Sequence, residues 1–144
     1  MEIKREALVT YSCSQMYDLV NDILSYPAFL PACINAEIIS QTKENVEAKL
    51  YLRKGAITFS LSTRNYLVKD REIDMQLIEG PFEHLKGVWE FSPIENKGCH
   101  IQLHMDFKQS NSMLQVLPNS VFKKICDDMI DNFVLRAHDI YEKK

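Results

Sequence analysis

Apolar and polar residues alternate along most of the middle of the chain. The alternation runs through residues 46–53, 57–64, 72–77, 85–91 and 101–107. Strict alternation predicts β-strands with one buried face and one solvated face, which is the habit of antiparallel sheets. Because only short turn sequences separate these stretches, neighbouring strands are expected to pair as a meander.

The N-terminal part of the chain combines a strand with a helix. Residues 2–11 are predicted to form the first strand, and Ser12 and Gln15 match a capping box that begins a helix. Apolar residues then follow at helical spacing and predict one buried face: Met16, Leu19, Val20, Ile23 and Leu24. The first helix is therefore expected to cover about residues 13–24.

The chain ends in a pattern typical of a long amphipathic helix. Pro118 limits its start, and apolar residues then recur every three to four positions. The predicted buried stripe consists of Phe122, Ile125, Met129, Phe133, Arg136 or Ala137, and Ile140. Two i,i+4 pairs, Lys123–Asp127 and Lys124–Asp128, lie on the other side. We interpret these carboxylates as part of a solvated face rather than as a catalytic pair.

An apolar sheet face and a helix with a matching stripe predict an α+β fold with a single domain over residues 1–144. The expected architecture is a curved antiparallel sheet of about seven strands wrapped around the C-terminal helix. Its inner face carries Phe59, Met75, Trp89, Phe91, Met105 and Phe107. Because one helix does not easily fill a strongly curved sheet, part of the interior is expected to be an apolar cavity, the kind of site that ligands favour.

The segment from Val20 to Cys33 connects the first helix to the next strand. Pro27 and Pro31 fix φ and remove two backbone donors, which argues against a regular helix or a central strand. The segment also carries large side chains: Tyr26, Phe29 and Leu30. Apolar side chains on a connection must cover the core, a hydrophobic ligand or a partner. We therefore treat Tyr26–Pro31 as a candidate lid, called the lid segment below.

Composition narrows the functional classes. The chain has 46% hydrophobic and 26% charged residues and a net charge of −3, which is ordinary for a soluble domain. This charge argues against a protein that binds mainly to nucleic-acid phosphates, and no DNA partner is expected. No apolar run is long enough to span a membrane.

The cysteines and histidines do not suggest a metal site. The four cysteines are Cys13, Cys33, Cys99 and Cys126, and none has a CxxC or zinc-ligand spacing. They are interpreted as buried structural thiols in a reducing cytosol, since no signal-peptide pattern precedes them. His100 and His104 share a strand face but lie about 13 Å apart, which is too far to chelate one ion.

Five stretches of the sequence together resemble the START-like (SRPBCC, polyketide cyclase/dehydrase) superfamily, whose fold is the helix grip. They are ALVTYS (Ala7–Ser12), LVNDILSYPAFLPAC (Leu19–Cys33), STRN (Ser62–Asn65), EGPFEHLKGVWEF (Glu79–Phe91) and MIDNFVLRA (Met129–Ala137). Within this superfamily the chain resembles the coenzyme Q-binding and ribosome association toxin (RatA) family. That family usually has Trp between Pro31 and Cys33, where this chain has Ala32. A contact that the ring makes in relatives is therefore weakened or reshaped here.

The resemblance implies two functions. The first is non-catalytic binding of a hydrophobic ligand, ubiquinone or a related prenyl lipid, by a carrier or chaperone that supports respiration. The alternative is a ribosome association toxin that binds the large ribosomal subunit and blocks subunit joining. An enzyme, such as a cyclase or dehydratase, is not expected, because no acid–base pair or activated nucleophile is recognisable. No cofactor besides the bound lipid is expected, and a cytoplasmic location is predicted, with peripheral contact to the inner membrane as a further option.

The candidate ligand-binding residues come from the lid segment, the inner sheet face and the C-terminal helix. They are Tyr26, Phe29, Leu30, Pro31, Phe59, Leu61, Asn65, Met75, Leu77, Trp89, Phe91, Met105, Phe107, Met129 and Phe133. Methionines would provide adaptable walls for a flexible tail. Asn65 is preferred to Arg64 as a donor to a quinone head, because alternation places Asn65 on the inner face. Without the resemblance, the same aromatic and methionine side chains are more simply read as packed core.

Overall fold

Seven strands and three α-helices make up the described residues, which are 1–95, 97–113 and 117–142 of this computed structural model. The strands are β1 (Glu2–Val9), β2 (Cys33–Gln41), β3 (Asn45–Lys54), β4 (Ile57–Val68), β5 (Glu72–Glu79), β6 (Phe82–Ile94) and β7 (Gly98–Gln109). The α-helices are α1 (Cys13–Asn21), α2 (Tyr26–Phe29) and α3 (Asn119–Tyr141), and short 3-10 helices lie at Ile23–Ser25 and Asn111–Met113. The predicted α+β helix-grip fold is confirmed.

The strands form one antiparallel sheet in the order β1-β7-β6-β5-β4-β3-β2. The predicted meander from β2 to β7 is therefore correct, and β1 adds to the outer edge of β7. Register places Met75, Gly87 and Met105 side by side across β5, β6 and β7. The amino group of Met1 donates to the Phe107 carbonyl at 2.7 Å, which extends the pairing of β1 with β7.

Helix α3 lies against the inner face of the sheet through aromatic contacts. The Phe122 ring centroid is 4.7 Å from that of Phe107 and 4.9 Å from that of Phe82. Further along α3, the Phe133 ring packs edge-on against Trp89 at 5.3 Å. Edge-on packing of this kind contributes beyond simple burial. These contacts place the N-terminal and middle turns of α3 over strands β6 and β7.

Helix α1 begins as the sequence predicts but ends earlier. The Ser12 side chain accepts from the Gln15 backbone N–H at 3.0 Å, and the Gln15 side chain accepts from the Ser12 N–H at 2.9 Å. The helix ends at Asn21, and Asp22 leaves the helical region with φ −86° and ψ 68°. The change of phase turns Leu24 outwards, so its predicted burial is wrong: it is 61% exposed.

The expectation that Tyr26–Pro31 contains no regular helix is also wrong. The segment starts with the single helical turn α2, and the Leu30 N–H donates to the Tyr26 carbonyl at 2.8 Å. Pro27 lies in the first turn of α2, where a backbone N–H has no intrahelical partner and the fixed φ suits a helix. Proline therefore starts this short helix instead of preventing it.

The buried stripe of α3 differs from the predicted one at its C-terminal end. Ile140 is 42% exposed because it lies in the last turn of the helix. Cys126 and Ile130, which the predicted stripe omits, are 1% exposed. The apolar face of α3 is therefore wider than the stripe read from the sequence, since the sheet curves around the helix and covers more of its circumference.

Candidate ligand-binding cavity

A narrow apolar cavity of about 100 Å³ lies between the sheet, α3 and the lid segment. The lid side is formed by Tyr26, Leu30, Pro31, Ala32 and Cys33. The sheet contributes Leu50, Leu52, Lys54, Leu61, Thr63, Met75, Leu85, Trp89 and Met105. The helix contributes Phe122, Ile125, Cys126, Asp128, Met129 and Asn132. Such a lining of apolar side chains with a few polar groups is typical of a site for a hydrophobic ligand.

Tyr26 fastens the N-terminal end of the lid segment to the body of the protein. Its hydroxyl donates a hydrogen bond to the Val20 carbonyl at the end of α1. Burial raises the pKa of Tyr26, so the hydroxyl stays protonated and remains a donor. The Tyr26 ring also contacts Phe133 of α3, at a centroid distance of 5.4 Å. The lid segment is thus held in a closed position by one buried hydrogen bond and by ring packing.

Phe29 covers the outside of this contact rather than lining the cavity. Its ring packs edge-on against Phe133 at 5.2 Å and against Tyr26 at 6.1 Å. The Arg136 guanidinium lies over the Phe29 ring, 5.1 Å from its centroid. A cation over an aromatic face contributes about 0.5–1 kcal/mol at an exposed site. Phe29 therefore acts as a clasp between the lid segment and α3.

Few polar groups face the cavity. Thr63 is buried, and its hydroxyl donates to the Asn65 side-chain oxygen at 2.8 Å. Lys54, Asp128 and Asn132 supply the remaining polar atoms of the lining, and Asp128 also pairs with Lys124 at 2.9 Å. A ligand with a polar head and an apolar body would meet both kinds of surface here.

The two cysteines of the lining behave as apolar groups. Burial raises the pKa of the Cys33 thiol and raises that of Cys126 to about 12. Both thiols are therefore protonated at neutral pH, and neither has the thiolate character that a nucleophile needs. Among the described residues, no three or more His, Cys, Asp or Glu side chains are placed together to hold a metal ion.

The structure brings some of the predicted ligand-binding residues to the cavity and leaves others out. Those that line it are Tyr26, Leu30, Pro31, Leu61, Met75, Trp89, Met105 and Met129. Those outside the lining are Phe29, Phe59, Asn65, Leu77, Phe91, Phe107 and Phe133. Phe91, Phe107 and Phe133 are at most 1% exposed and fill the core. Asn65 is buried on the inner side as predicted, but it contacts Thr63 instead of the cavity.

Sequence reasoning missed several cavity residues. Asp128 lies on the side of α3 interpreted as solvated, yet it reaches the cavity. Asn132, which the sequence analysis does not single out, also lines the cavity. Lys54 lies at the end of β3, where the alternation pattern gives no clear direction. Ala32 directly follows Pro31, at the position where the family usually has Trp, and it lines the cavity.

The curved sheet, the long α3 and the apolar cavity between them define the class of helix-grip proteins. The sequence from residue 9 to residue 134 matches the family model described as polyketide cyclase / dehydrase and lipid transport. The chain therefore belongs to this family, and the resemblance seen in the sequence is confirmed. The description covers both enzymes and lipid-transport proteins, so membership alone does not assign a reaction.

Two curated relatives and one solved structure show which proteins this chain is similar to. The ribosome association toxin RatA of Escherichia coli K12 is 38% identical over 143 residues, which are 99% of this chain and 90% of that protein. The mitochondrial coenzyme Q-binding protein COQ10 homolog B of Xenopus laevis is 23% identical over 148 residues, covering all of this chain and 61% of that protein. The Zhui aromatase/cyclase from Streptomyces has a TM-score of 0.83 at 15% identity, with 96% and 93% of the two chains covered.

These relatives carry the names of both functions that the resemblance implied. The relatives named as ribosome association toxins are more similar to this chain than the coenzyme Q-binding relative is. The similarity to the aromatase/cyclase is a similarity of fold. In the described part of the chain, no helix is both long and apolar enough to cross a membrane.

Proposed function

We propose that this protein is a non-catalytic binder of a hydrophobic ligand, and that the ligand is ubiquinone or a related prenyl lipid. The observation that carries the proposal is the apolar cavity beneath the lid segment, with three methionines in its wall: Met75, Met105 and Met129. Methionine side chains adapt to irregular and flexible ligands. A relative named as a coenzyme Q-binding protein aligns along the whole chain, which supports the same choice.

The size of the cavity determines how such a ligand has to enter. At about 100 Å³ the cavity is smaller than the roughly 300–1,000 Å³ of common ligand sites. A quinone with its tail therefore requires the lid segment to move away from α3. The bond from Tyr26 to Val20 and the clasp at Phe29 are the contacts that this movement has to break or shift. The quinone head would then lie near Thr63 and Lys54.

Lipid extraction tests the proposal directly. The protein is purified from a quinone-producing host, and the organic extract is analysed by mass spectrometry. Co-purification of a prenylated quinone in stoichiometric amount is expected. A parallel titration with a short-chain ubiquinone uses the fluorescence of Trp89, the single tryptophan, which lines the cavity. No bound lipid together with no change in Trp89 fluorescence would overturn the proposal.

A matched pair of variants assigns the binding to the cavity. Leu50→Phe adds volume at a half-buried position of the lining, whereas Leu67→Phe makes the same change at a half-buried position outside it. The Leu50 variant is expected to bind the short-chain ubiquinone several-fold more weakly than the unchanged protein does. The Leu67 variant is expected to bind it with the same affinity as the unchanged protein. Equal weakening in both would indicate a general effect on stability.

The second candidate function is association with the large ribosomal subunit. It is favoured by the 38% identity to the Escherichia coli relative that bears this name. Lys49 and Arg53 share one face of β3, and within the described residues neither has an ion pair with a carboxylate. Cations on one surface are what contacts to ribosomal RNA phosphates require. The proposed site of action in either case is the cytoplasm.

Sucrose-gradient sedimentation distinguishes this second function from the first. Added protein should increase free subunits at the expense of joined ribosomes. Replacing Lys49 and Arg53 by Glu should abolish that effect, whereas the same change at Lys69 and Arg71 should preserve it. Unchanged subunit association at a stoichiometric excess of the protein would remove this candidate without bearing on lipid binding.

A further inference from the structure

Two thiols that are distant in the sequence meet at the start of α1. Cys13 is the first residue of α1, and Cys99 is the second residue of β7. Their Sγ atoms lie 2.9 Å apart, although 86 positions separate them. The pairing of Val9 with Cys99 brings them together, because α1 begins four residues after Val9. A disulfide bond is about 2.05 Å long, so only a small movement separates the two sulfurs from bonding distance.

The two thiols differ in how far solvent can reach them. Cys99 is 0% exposed, and burial together with the hydrogen bond to Cys13 raises its pKa to about 12. Cys13 is half-buried and lines a surface groove together with Pro93 and Lys97. An oxidant in solution can therefore reach Cys13 but not Cys99. This asymmetry is the arrangement of an attacking thiol that is backed by a resolving thiol.

We propose that Cys13 and Cys99 form a reversible internal disulfide, with glutathione disulfide as the oxidant. The Cys13 sulfur, after losing its proton, attacks one sulfur of glutathione disulfide and releases one glutathione thiolate. The Cys99 sulfur then loses its proton and attacks the Cys13 sulfur of the mixed disulfide, which releases the second glutathione. Two electrons pass to the oxidant, and two protons leave the protein. In a reducing compartment such a bond is transient and responds to redox conditions.

The other two cysteines serve as internal controls. Cys33 donates to the Asn35 carbonyl at 3.3 Å, and Cys126 is 1% exposed within the cavity lining. Neither has a hydrogen-bonded thiol neighbour among the described residues. Oxidation should therefore reduce the number of free thiols from four to two and leave Cys33 and Cys126 unmodified.

Peptide mapping of the full chain tests the proposal. The protein is equilibrated in buffers of increasing glutathione disulfide to glutathione ratio, alkylated, digested without reduction and analysed by mass spectrometry. The expected product is a single bridge between the peptides that contain Cys13 and Cys99, with an intact mass about 2 Da lower than that of the reduced protein. Adding excess glutathione should restore all four thiols.

Two variants separate the steps. Cys13→Ser should prevent oxidation of Cys99, and Cys99→Ala should leave glutathione attached to Cys13 because no thiol resolves it. A bridge that involves Cys33 or Cys126, a stable glutathione adduct on Cys13 of the unchanged protein, or four free thiols at every ratio would each overturn the proposal. If Cys99→Ala fails to fold, the peptide map of the unchanged protein still tests whether the bridge between Cys13 and Cys99 forms.

Discussion

At Gly87, the absence of a side chain shapes the cavity. A Cβ atom at this position would overlap the Met105 Sδ atom and would lie 2.7 Å from the Met75 Cε atom. Both methionines line the cavity and flank Gly87 on the neighbouring strands. Glycine is therefore required here for space, and it lets two flexible thioethers meet across β6. The two methionines belong to neighbouring strands, so the spacing of residues within β6 does not show which side chains meet at Gly87.

Replacing Gly87 with Ala should narrow the cavity. The added methyl group displaces the ends of Met75 and Met105 towards the open space, and overpacking of this kind costs about 1–3 kcal/mol of stability. We expect several-fold weaker binding of short-chain ubiquinone, measured by Trp89 fluorescence, and a lower urea midpoint. Adding Met105→Ala to Gly87→Ala should return the space and restore binding. Binding that is unchanged in the single variant would contradict this account.

The Tyr26 hydroxyl should control how firmly the lid segment is closed. Tyr26→Phe removes a buried donor to the Val20 carbonyl and should cost about 1 kcal/mol in the free energy of unfolding. It should also speed ligand exchange, measured by stopped-flow fluorescence. Tyr51→Phe is the control, because its hydroxyl bond to Glu37 is exposed and should contribute little. Equal stability losses in both variants would argue against a special role for Tyr26.

At the scale of elements, a single arginine ties the first strand to the last helix. Arg5 of β1 donates from Nη1 to the Asp127 carbonyl at 2.6 Å and from Nη2 to Asp131 Oδ1 at 3.3 Å. Asp127 also pairs with Lys123 at 2.6 Å. The acidic face of α3 is thus partly used for contact with β1, where the sequence suggested only solvation.

Arg5→Ala should loosen the contact between α3 and β1. The lost hydrogen bonds are only partly shielded from water, so we expect a cost of about 1 kcal/mol. Chemical denaturation should show a lower midpoint with an unchanged m-value. Lys123→Ala removes only an exposed i,i+4 pair and should change stability by less than about 0.5 kcal/mol. Stability that responds equally to both substitutions would be inconsistent with the clamp.

The strands were easier to predict than the helices, for a physical reason. A strand repeats every two residues, so a short stretch such as residues 101–107 already separates its buried and exposed faces. In a helix, each residue is rotated around the axis relative to the one before it, so a break in the helix changes the direction in which all later side chains point. Asp22 breaks α1 and turns Leu24 outwards, while the wrapping sheet widens the buried face of α3 to include Cys126 and Ile130. Neither effect is local, so neither is visible in the spacing of apolar residues.

At the scale of the whole molecule, curvature decides which inner-face residues reach the cavity. Alternation correctly places Phe91, Phe107 and Asn65 on the inner side, yet all three lie outside the lining. Phe91 and Phe107 are covered by rings from α1 and α3, as in the contacts with Tyr17 and Phe122. A sequence pattern identifies the face of a sheet, but the position of the packed helices determines where the space remains.

Ligand binding should stabilise the whole molecule. The cavity exists only in the folded state, so a ligand at about one hundred times its dissociation constant should add about 2.7 kcal/mol. Saturating short-chain ubiquinone is therefore expected to raise the melting temperature by several degrees in a thermal-unfolding experiment. Leu50→Phe should show a much smaller rise under the same conditions. If the ligand does not change the melting temperature of the unchanged protein, binding in the cavity is contradicted.

The pairing of β1 with β7 also constrains the order in which the chain can fold during synthesis. Strands β2 to β6 can pair one after another as they leave the ribosome, because each follows its partner in the chain. Strand β1 is made first but has to wait for residues 98–109 before its own partner exists. Contacts between such distant segments slow folding. The nascent chain therefore carries an unpaired first strand until most of the protein has been made.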